Sequence, residues 1–551
     1  MARAGTGSNL ELSYVKEVIP GTTPASGPMK EIRKKDGESM VGDAETIVSN
    51  EVRSDRQMVS SIRGINKVGG SIPVEFSYAT YDDFLLGVMG APELETRSIT
   101  STNITANDAN PDTFTIVTDS FATPGFESGD WVKVSGFTES ANNGHFRIAT
   151  ATASTLTLES TSALTAEASG DSVTIETQVM KLGKQDHSFT IQKAFTDKML
   201  FLYWAGCRVG EMSLSTSPGA QTEGSFTIVG GGTEQVPTSG LFAPAGYLVD
   251  TPSPKIGHQG FSYDTGSTAF AVDDELTISG DSSETIYKVT AVNSAVGSYG
   301  DTDLTMTTSA TTGGNATLTN TVDNDLLTKG FKSGMKITIA GADTVGNDGD
   351  YTIKTVTADT ITLADGEDFT ADEAFGGGTT IVGAQHLSIS PAIVEDCADN
   401  DTILSHRPAT AVSSNQVFDS FSGVVRENNV SVSIVTKLDI SVSGNLEPAE
   451  VVGSQDPVNV DQGELNIKVN LSTRFENLSL YNKGRNATAT SIEQEFRDVD
   501  GNSYYFVFPN VRLNKKTPTG SNRKAIIQEF EATCLHETAR NTSMLVYKVP
   551  A

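Results

Sequence analysis

Residues 125–158 align without a gap onto residues 330–363, every position displaced by 205. A repeat of this length commits the chain to building one small unit twice, and its pattern says which kind of unit. The first copy reads GFESGDWVKVSG and then NNGHFRIATATASTLTL; the second reads GFKSGMKITIAG and then NDGDYTIKTVTADTITL. Apolar residues match at alternate positions: Val132 and Val134 with Ile337 and Ile339, Phe146 and Ile148 with Tyr351 and Ile353, Leu156 and Leu158 with Ile361 and Leu363. That is the period of strands with one buried face, so each copy carries at least three strands. Asn143-Gly144 and Asp348-Gly349 are predicted to supply the positive backbone angles of tight hairpins between them. A fainter third copy reads DDELTISG at 273–280 and TIYKVTAV at 285–292, with LSISPAIVEDCADNDTI at 387–403 as a candidate last strand. The second full repeat would then lie nested inside it.

Charge separates these repeats from the rest of the chain. Residues 100–178 carry ten acidic and two basic side chains, and residues 257–404 carry twenty-three and five, together −26 of the formal −30. Both blocks are also rich in Thr, Gly and Ser. The division predicted is a nearly neutral frame of residues 1–99, 179–256 and 405–551, interrupted by a first β module at 100–178 and nested second and third modules at 257–404. A chain of 551 residues is long enough for several cores, and 37% hydrophobic residues are enough to fill them. Short alternating apolar runs make the fold class mainly β: a discontinuous β-sandwich with a flanking short helix and inserted small β domains.

Within the frame, Ile72, Val74 and Phe76 alternate as a strand. Thr80 with Asp83 then suggests a capping box for a helix through Tyr81, Phe84, Leu85 and Val88. Later strands are predicted around Phe189, Leu200, Val209 and Phe226, then over 430–435, 438–442, 465–471, 492–499, 504–513 and 526–530, with a turn at Asp500-Gly501. Residues 475–481 are the one other helix expected in the frame. No apolar stretch approaches a membrane span or a signal-peptide core. Cys207, Cys397 and Cys534 lack metal-site or redox spacing and are expected to be buried free thiols of a protein made in a reducing cytoplasm.

Catalytic and cofactor chemistry has no visible constellation. The six histidines, His145, His187, His258, His386, His406 and His536, are isolated, and none forms an HxxH or HExxH pair. His145 is expected to be a turn-exposed structural residue, since its repeat counterpart is Asp350. The triple glycines at 230–232 and 376–378 lack a following Gly-Lys-Ser, and the Asp498, Asp500 and Asn502 loop lacks the closing glutamate of a calcium site. No catalytic, cofactor or metal site is therefore expected, and no cofactor. The strong negative charge disfavours tight nucleic-acid binding. The run Glu51, Val52, Arg53, Ser54, Asp55, Arg56 mixes signs at alternate positions, and Glu51, Arg53, Asp55 and Arg56 are candidate subunit-interface residues.

The frame resembles the tail tube proteins of long-tailed bacteriophages. The resemblance is carried by LSYVKEVIPGTTPA and IVSNEVRSDRQMVSSIRGINKVGGSIPVEFSYATYDDFLLGVMG near the start. Near the end it is carried by FSGVVRENN, LDISVSGNLEPAEVVGSQDP, FENLSLYNKG and FRDVDGNSYYFVFPNVRL. The frame in which these segments lie is about three-fifths of the chain. The resemblance implies two packed β-sheets with a flanking helix, hexameric rings stacked into a tube, and double-stranded DNA passing through the lumen without specific binding during ejection. It implies a structural protein of the virion tail with no enzymatic role and no membrane partner. Its expected partners are copies of itself and other tail proteins such as the tape measure and terminator. The inserts resemble immunoglobulin-like or barrel-like modules, and their acidity places them outside the tube. The alternatives are another virion shell component, a sheath or capsid decoration protein, and a carbohydrate-binding adhesive protein. For the last, Trp131 is the one candidate aromatic platform.

Overall fold

The computed structural model describes residues 6–551 apart from 53, 56, 58, 59, 160–162, 233, 250–254, 264–267, 280, 301, 321, 399, 413, 477 and 519–524. Its architecture is mainly β, in several antiparallel sheets with a few short helices. The largest run of paired strands passes from Val41–Val48 to Ser61–Glu75, Glu223–Gly230, Leu200–Thr216, Val435–Ser443, Asn466–Arg474 and Ile527–Cys534. Burial alternates along these strands, as period-2 apolar patterning requires: in Asn466–Arg474, Ile467, Val469 and Leu471 are buried while Lys468 and Asn470 are exposed. The first half of Leu200–Thr216 turns away to pair with Phe189–Phe195, which pairs with Leu10–Lys16.

A second layer contains Ala489–Arg497, Ser503–Leu513, Leu545–Val549 and Val173–Lys181. Between the layers lies the main core, where Phe76 meets Phe418, Phe496, Tyr504 and Phe506 at ring separations of 5.5, 5.6, 5.7 and 6.1 Å. Helix Asp82–Met89 packs against Leu200–Thr216 and buries Phe84, Leu85, Leu86, Val88 and Met89. Asp82 and Asp83 in its first turn suit the helix dipole, and Gly90 ends it in the left-handed region at φ 56°. The expected capping box does not form. Thr80 pairs with Ser77, and Asp83 instead accepts from Tyr14 and Lys30, because two tertiary donors compete successfully for its carboxylate. The second frame helix is Ser479–Asn486 rather than 475–481; Phe475 donates its amide to Ile526 and so continues the sheet edge.

The repeat is a repeat in structure. Trp131–Ser135, Gly144–Ala151 and Thr155–Leu158 map at the 205-residue displacement onto Lys336–Ala340, Gly349–Val356 and Thr360–Leu363. Each copy closes its own apolar core, around Phe114, Val132 and Ile148 in one and Leu318, Ile337 and Ile353 in the other. The loops between the first two strands are held by one polar device used twice. Buried Asn142 donates to Glu167 and accepts from the Thr165 amide; buried Asn347 donates to Glu373 and accepts from the Thr370 amide. The expected tight hairpins are absent. Asn143 and Asp348 have negative φ, and their side-chain oxygens accept from Phe137 and Ala342 to cap a longer loop. A further five-stranded sheet joins Gly260–Ser262, His386–Ser390, Tyr287–Asn293, Glu275–Ile278 and Ile403–His406. The second copy lies in sequence between the paired residues Asn293 and His386.

Candidate assembly surfaces

Three surfaces of the frame have distinctive chemistry. The first is the outward face of the largest sheet. On it stand Ser213, Ser225, Thr227, Ser441, Ser443 and Asn470, with Ser213 and Ser225 hydrogen-bonded at 2.9 Å and Ser215 donating to Asp439 at 2.6 Å. Its lysines are matched by carboxylates, Lys437 with Asp439 at 2.7 Å and Lys468 with Glu531 at 3.3 Å. Such a face presents small dipoles and paired cations rather than a cluster of free positive charge.

The second surface is the opposite side of the molecule, where strand Ser503–Leu513 is buried on both faces. Tyr504, Phe506 and Phe508 enter the main core, while Tyr505 and Val507 join a separate cluster with Trp131, Val179, Leu545, Tyr547 and Val549. Trp131 lies flat on Tyr505, ring centroids 4.0 Å apart and planes within 4°, with the Arg426 guanidinium 4.6 Å from the indole. Fully buried Glu493 receives the indole N–H at 3.3 Å and an ion pair from Arg147 at 2.8 Å. His145 bridges the Tyr505 hydroxyl at 3.0 Å and the Pro550 carbonyl at 2.7 Å, and its burial pushes the imidazole down to about 4. The first repeat copy is thus seated on the frame by residues absent from the second, where Lys336, Asp350 and Thr352 occupy the positions of Trp131, His145 and Arg147. Two readings are corrected here. His145 is an inter-lobe contact rather than turn-exposed, and Trp131, 7% exposed, offers no platform to a sugar.

The third surface is the ribbon Val41–Val48 with Ser61–Glu75, paired from Val41↔Gly69 out to Val48↔Ser61. Its outer part is solvent-exposed, including Ile47, Val48 and Ile62. Glu51 and Asp55 lie in the exposed connection beyond Val48, together with fully exposed Val52. Arg53 and Arg56 lie outside the described residues.

Elsewhere, several groups able to do chemistry have structural partners among the described residues. Asp498 accepts from the amides of Asp500 and Asn502 at 3.0 and 2.8 Å and so closes a hairpin turn. His406 stacks on Phe201, and His386 contacts the Ser333 carbonyl at 2.8 Å. Burial raises the Cys397 and Cys534 thiols to about 12 and Cys207 higher still, which favours the protonated thiol. Among the described residues, no group of three or more His, Cys, Asp or Glu could hold a metal ion, and no helix is long and apolar enough to cross a membrane.

Comparison with known proteins matches a family described as phage tail tube protein, over residues 7–390 and again over 355–534. No curated protein matches the chain. The match runs through both the frame and the inserts, and the chain belongs to the phage tail tube protein family.

Proposed function

We propose that six copies form a ring, that rings stack into the tail tube, and that the tube conducts double-stranded DNA during ejection. The observation that carries this reading is the broad outward face of small polar side chains, from Glu223–Gly230 across to Asn466–Arg474, which suits a wall past which DNA slides. The frame, residues 1–99, 179–256 and 405–551, would build that wall. The inserts, 100–178 and 257–404, would stand outside it. The first repeat copy packs on the layer opposite the polar face, which supports an external position for it. Ring closure requires a heterologous contact, and the ribbon ending near Glu51 and Asp55 is suited to reach a neighbour. We assign Glu51, Arg53, Asp55 and Arg56 to that contact. Tape measure and terminator proteins would meet the finished tube.

The reading is tested by electron microscopy of the purified protein. Hollow tubes or six-fold rings are expected, and uniform monomers at high concentration contradict it. Reversing charge at Arg53 and Arg56 together should weaken assembly while leaving the thermal unfolding of the monomer unchanged; tubes of normal length would remove those residues from the contact.

A further inference from the structure

The two ends of the frame strands differ in charge and in shape. Strand Val435–Ser443 and its partner Asn466–Arg474 place Ser443 beside Asn466 at one end and Val435 beside Thr473 at the other, about 27 Å away at the rise of an antiparallel strand. At the Ser443 end, segment 446–464 carries Glu447, Glu450, Asp456, Asp461 and Glu464 and no basic residue. Glu447, Glu450, Asp461 and Glu464 are exposed, and none has a lysine or arginine within ion-pair distance among the described residues. The tip of this segment presents Val451 and fully exposed Val452. It is fixed before any partner arrives: Asn66 donates its amide to the Gln455 carbonyl at 2.8 Å and its side chain to Asp456 at 2.6 Å, while Ser454 donates to the Asp456 carbonyl at 2.7 Å. The projecting ribbon leaves the frame at this same end.

At the Val435 end the sign reverses. Among the described residues between 514 and 526, Lys515 and Lys516 are exposed and none is acidic. This stretch runs beside Gln528, which pairs with Thr473. Exposed Arg474 stands next to it; Glu476 and Glu529 are exposed acids nearby, the latter paired with Lys516 at 3.7 Å. Two strand positions away opens a groove of ≈ 240 Å³ with mixed walls, in which Val424, Val425, Val432 and Val435 stand among serines, threonines and Lys437. Phe421, 78% exposed, stands beside it.

We propose that the acidic tip 446–464 of one copy docks on this end of a copy in the next ring, its carboxylates against Arg474, Lys515 and Lys516 and Val451 and Val452 against the valines of the mixed groove. The proposal rests on the tube reading and adds the surfaces that set its polarity. Because the two surfaces are unlike and lie at opposite ends of the frame strands, the contact is heterologous and propagates along the strand direction from one copy to the next. Opposite charge selects end-to-opposite-end over end-to-same-end stacking, since like charges brought together at an interface are costly. An ordered tip also reduces the entropy lost on docking.

The test uses the full chain with two triple variants. One is Glu447→Lys, Glu450→Lys and Glu464→Lys; the other is Arg474→Glu, Lys515→Glu and Lys516→Glu. Every substituted side chain is exposed, so circular dichroism and thermal unfolding should match the unsubstituted protein. Each variant alone should lower the pelleted tube fraction at least about tenfold. An equimolar mixture, in which each reversed end meets a complementary one, should restore it. So should the sextuple variant. Tubes from either triple variant alone, or no recovery on mixing, overturn the proposal while the tube reading stands. Failure of the unsubstituted protein to form rings or tubes overturns both.

Discussion

At Glu493 a carboxylate is fully buried, and its counter-charge, Arg147, comes from a strand 346 positions earlier in the chain. A buried ion pair of this kind is worth little against an apolar substitute, yet removing one partner is severe, because the remaining charge stays in a poorly solvating site. Arg147→Ala is therefore expected to cost about 3–5 kcal/mol. Trp131→Ala, which empties the space over Tyr505, should cost a comparable ~3–5 kcal/mol. Chemical unfolding followed by tryptophan and tyrosine fluorescence measures both; a loss below 1 kcal/mol in either would mean that the first lobe is only loosely seated. Histidine gives the pH dependence. His145 and His386 are both pushed by burial down to about 4, so as pH falls below 6.5 the unfolded chain takes up protons that the folded chain refuses. Their stabilising effect is complete above that value and is lost on the way to 4, by about 3 kcal/mol for each histidine. His145→Asn should make the decline between pH 6.5 and 4.5 shallower, with His187, His258 and His386, also lowered by burial, carrying what remains, and an unchanged slope would contradict this.

Among elements, the repeat was the most legible, since alternation at a fixed displacement leaves little freedom in where strands fall: all three strand pairs agree at both ends with the 205-residue offset. The helix beginning at Asp82 was legible as an element but not in its cap, which depends on Tyr14 and Lys30, remote in sequence. The seating of the first lobe was not read, although a signal existed. The unbroken runs Tyr504–Phe508 and Leu545–Tyr547 break the alternation seen elsewhere, and such runs mark strands buried on both faces. The projecting ribbon shows in sequence only as a short charged run, because nothing in its residues tells an exposed strand pair from a covered one. These differences give opposite expectations for deletion. Residues 294–385 lie between paired Asn293 and His386, so replacing them with Asn-Gly closes an ordinary hairpin and should leave a soluble, folded protein. Replacing 102–172 with a similar turn uncovers Tyr505, Val507, Leu545 and Tyr547 around a buried carboxylate, and should yield aggregate. Soluble, cooperative unfolding of the second deletion, followed by calorimetry, would show that the frame does not depend on its first lobe.

For the whole molecule, the account divides the frame into one smooth polar face, an opposite face covered by a repeat copy, and two strand ends of unlike charge. If the polar face is the channel wall, cations placed there should hold phosphate. Ser213→Arg with Ser441→Arg should leave tubes intact in outline but slow or stop DNA release, with an effect that weakens as salt is raised. Normal release kinetics at low salt would move the face away from the channel. The most direct measurement is a helical reconstruction, by electron microscopy, of tubes assembled from the purified chain. The account predicts six copies per ring, with Ser213, Ser225 and Ser441 turned toward the axis and residues 104–158 and 304–383 forming knobs at the periphery. A solid rod, or a tube with those knobs in its lumen, would contradict it.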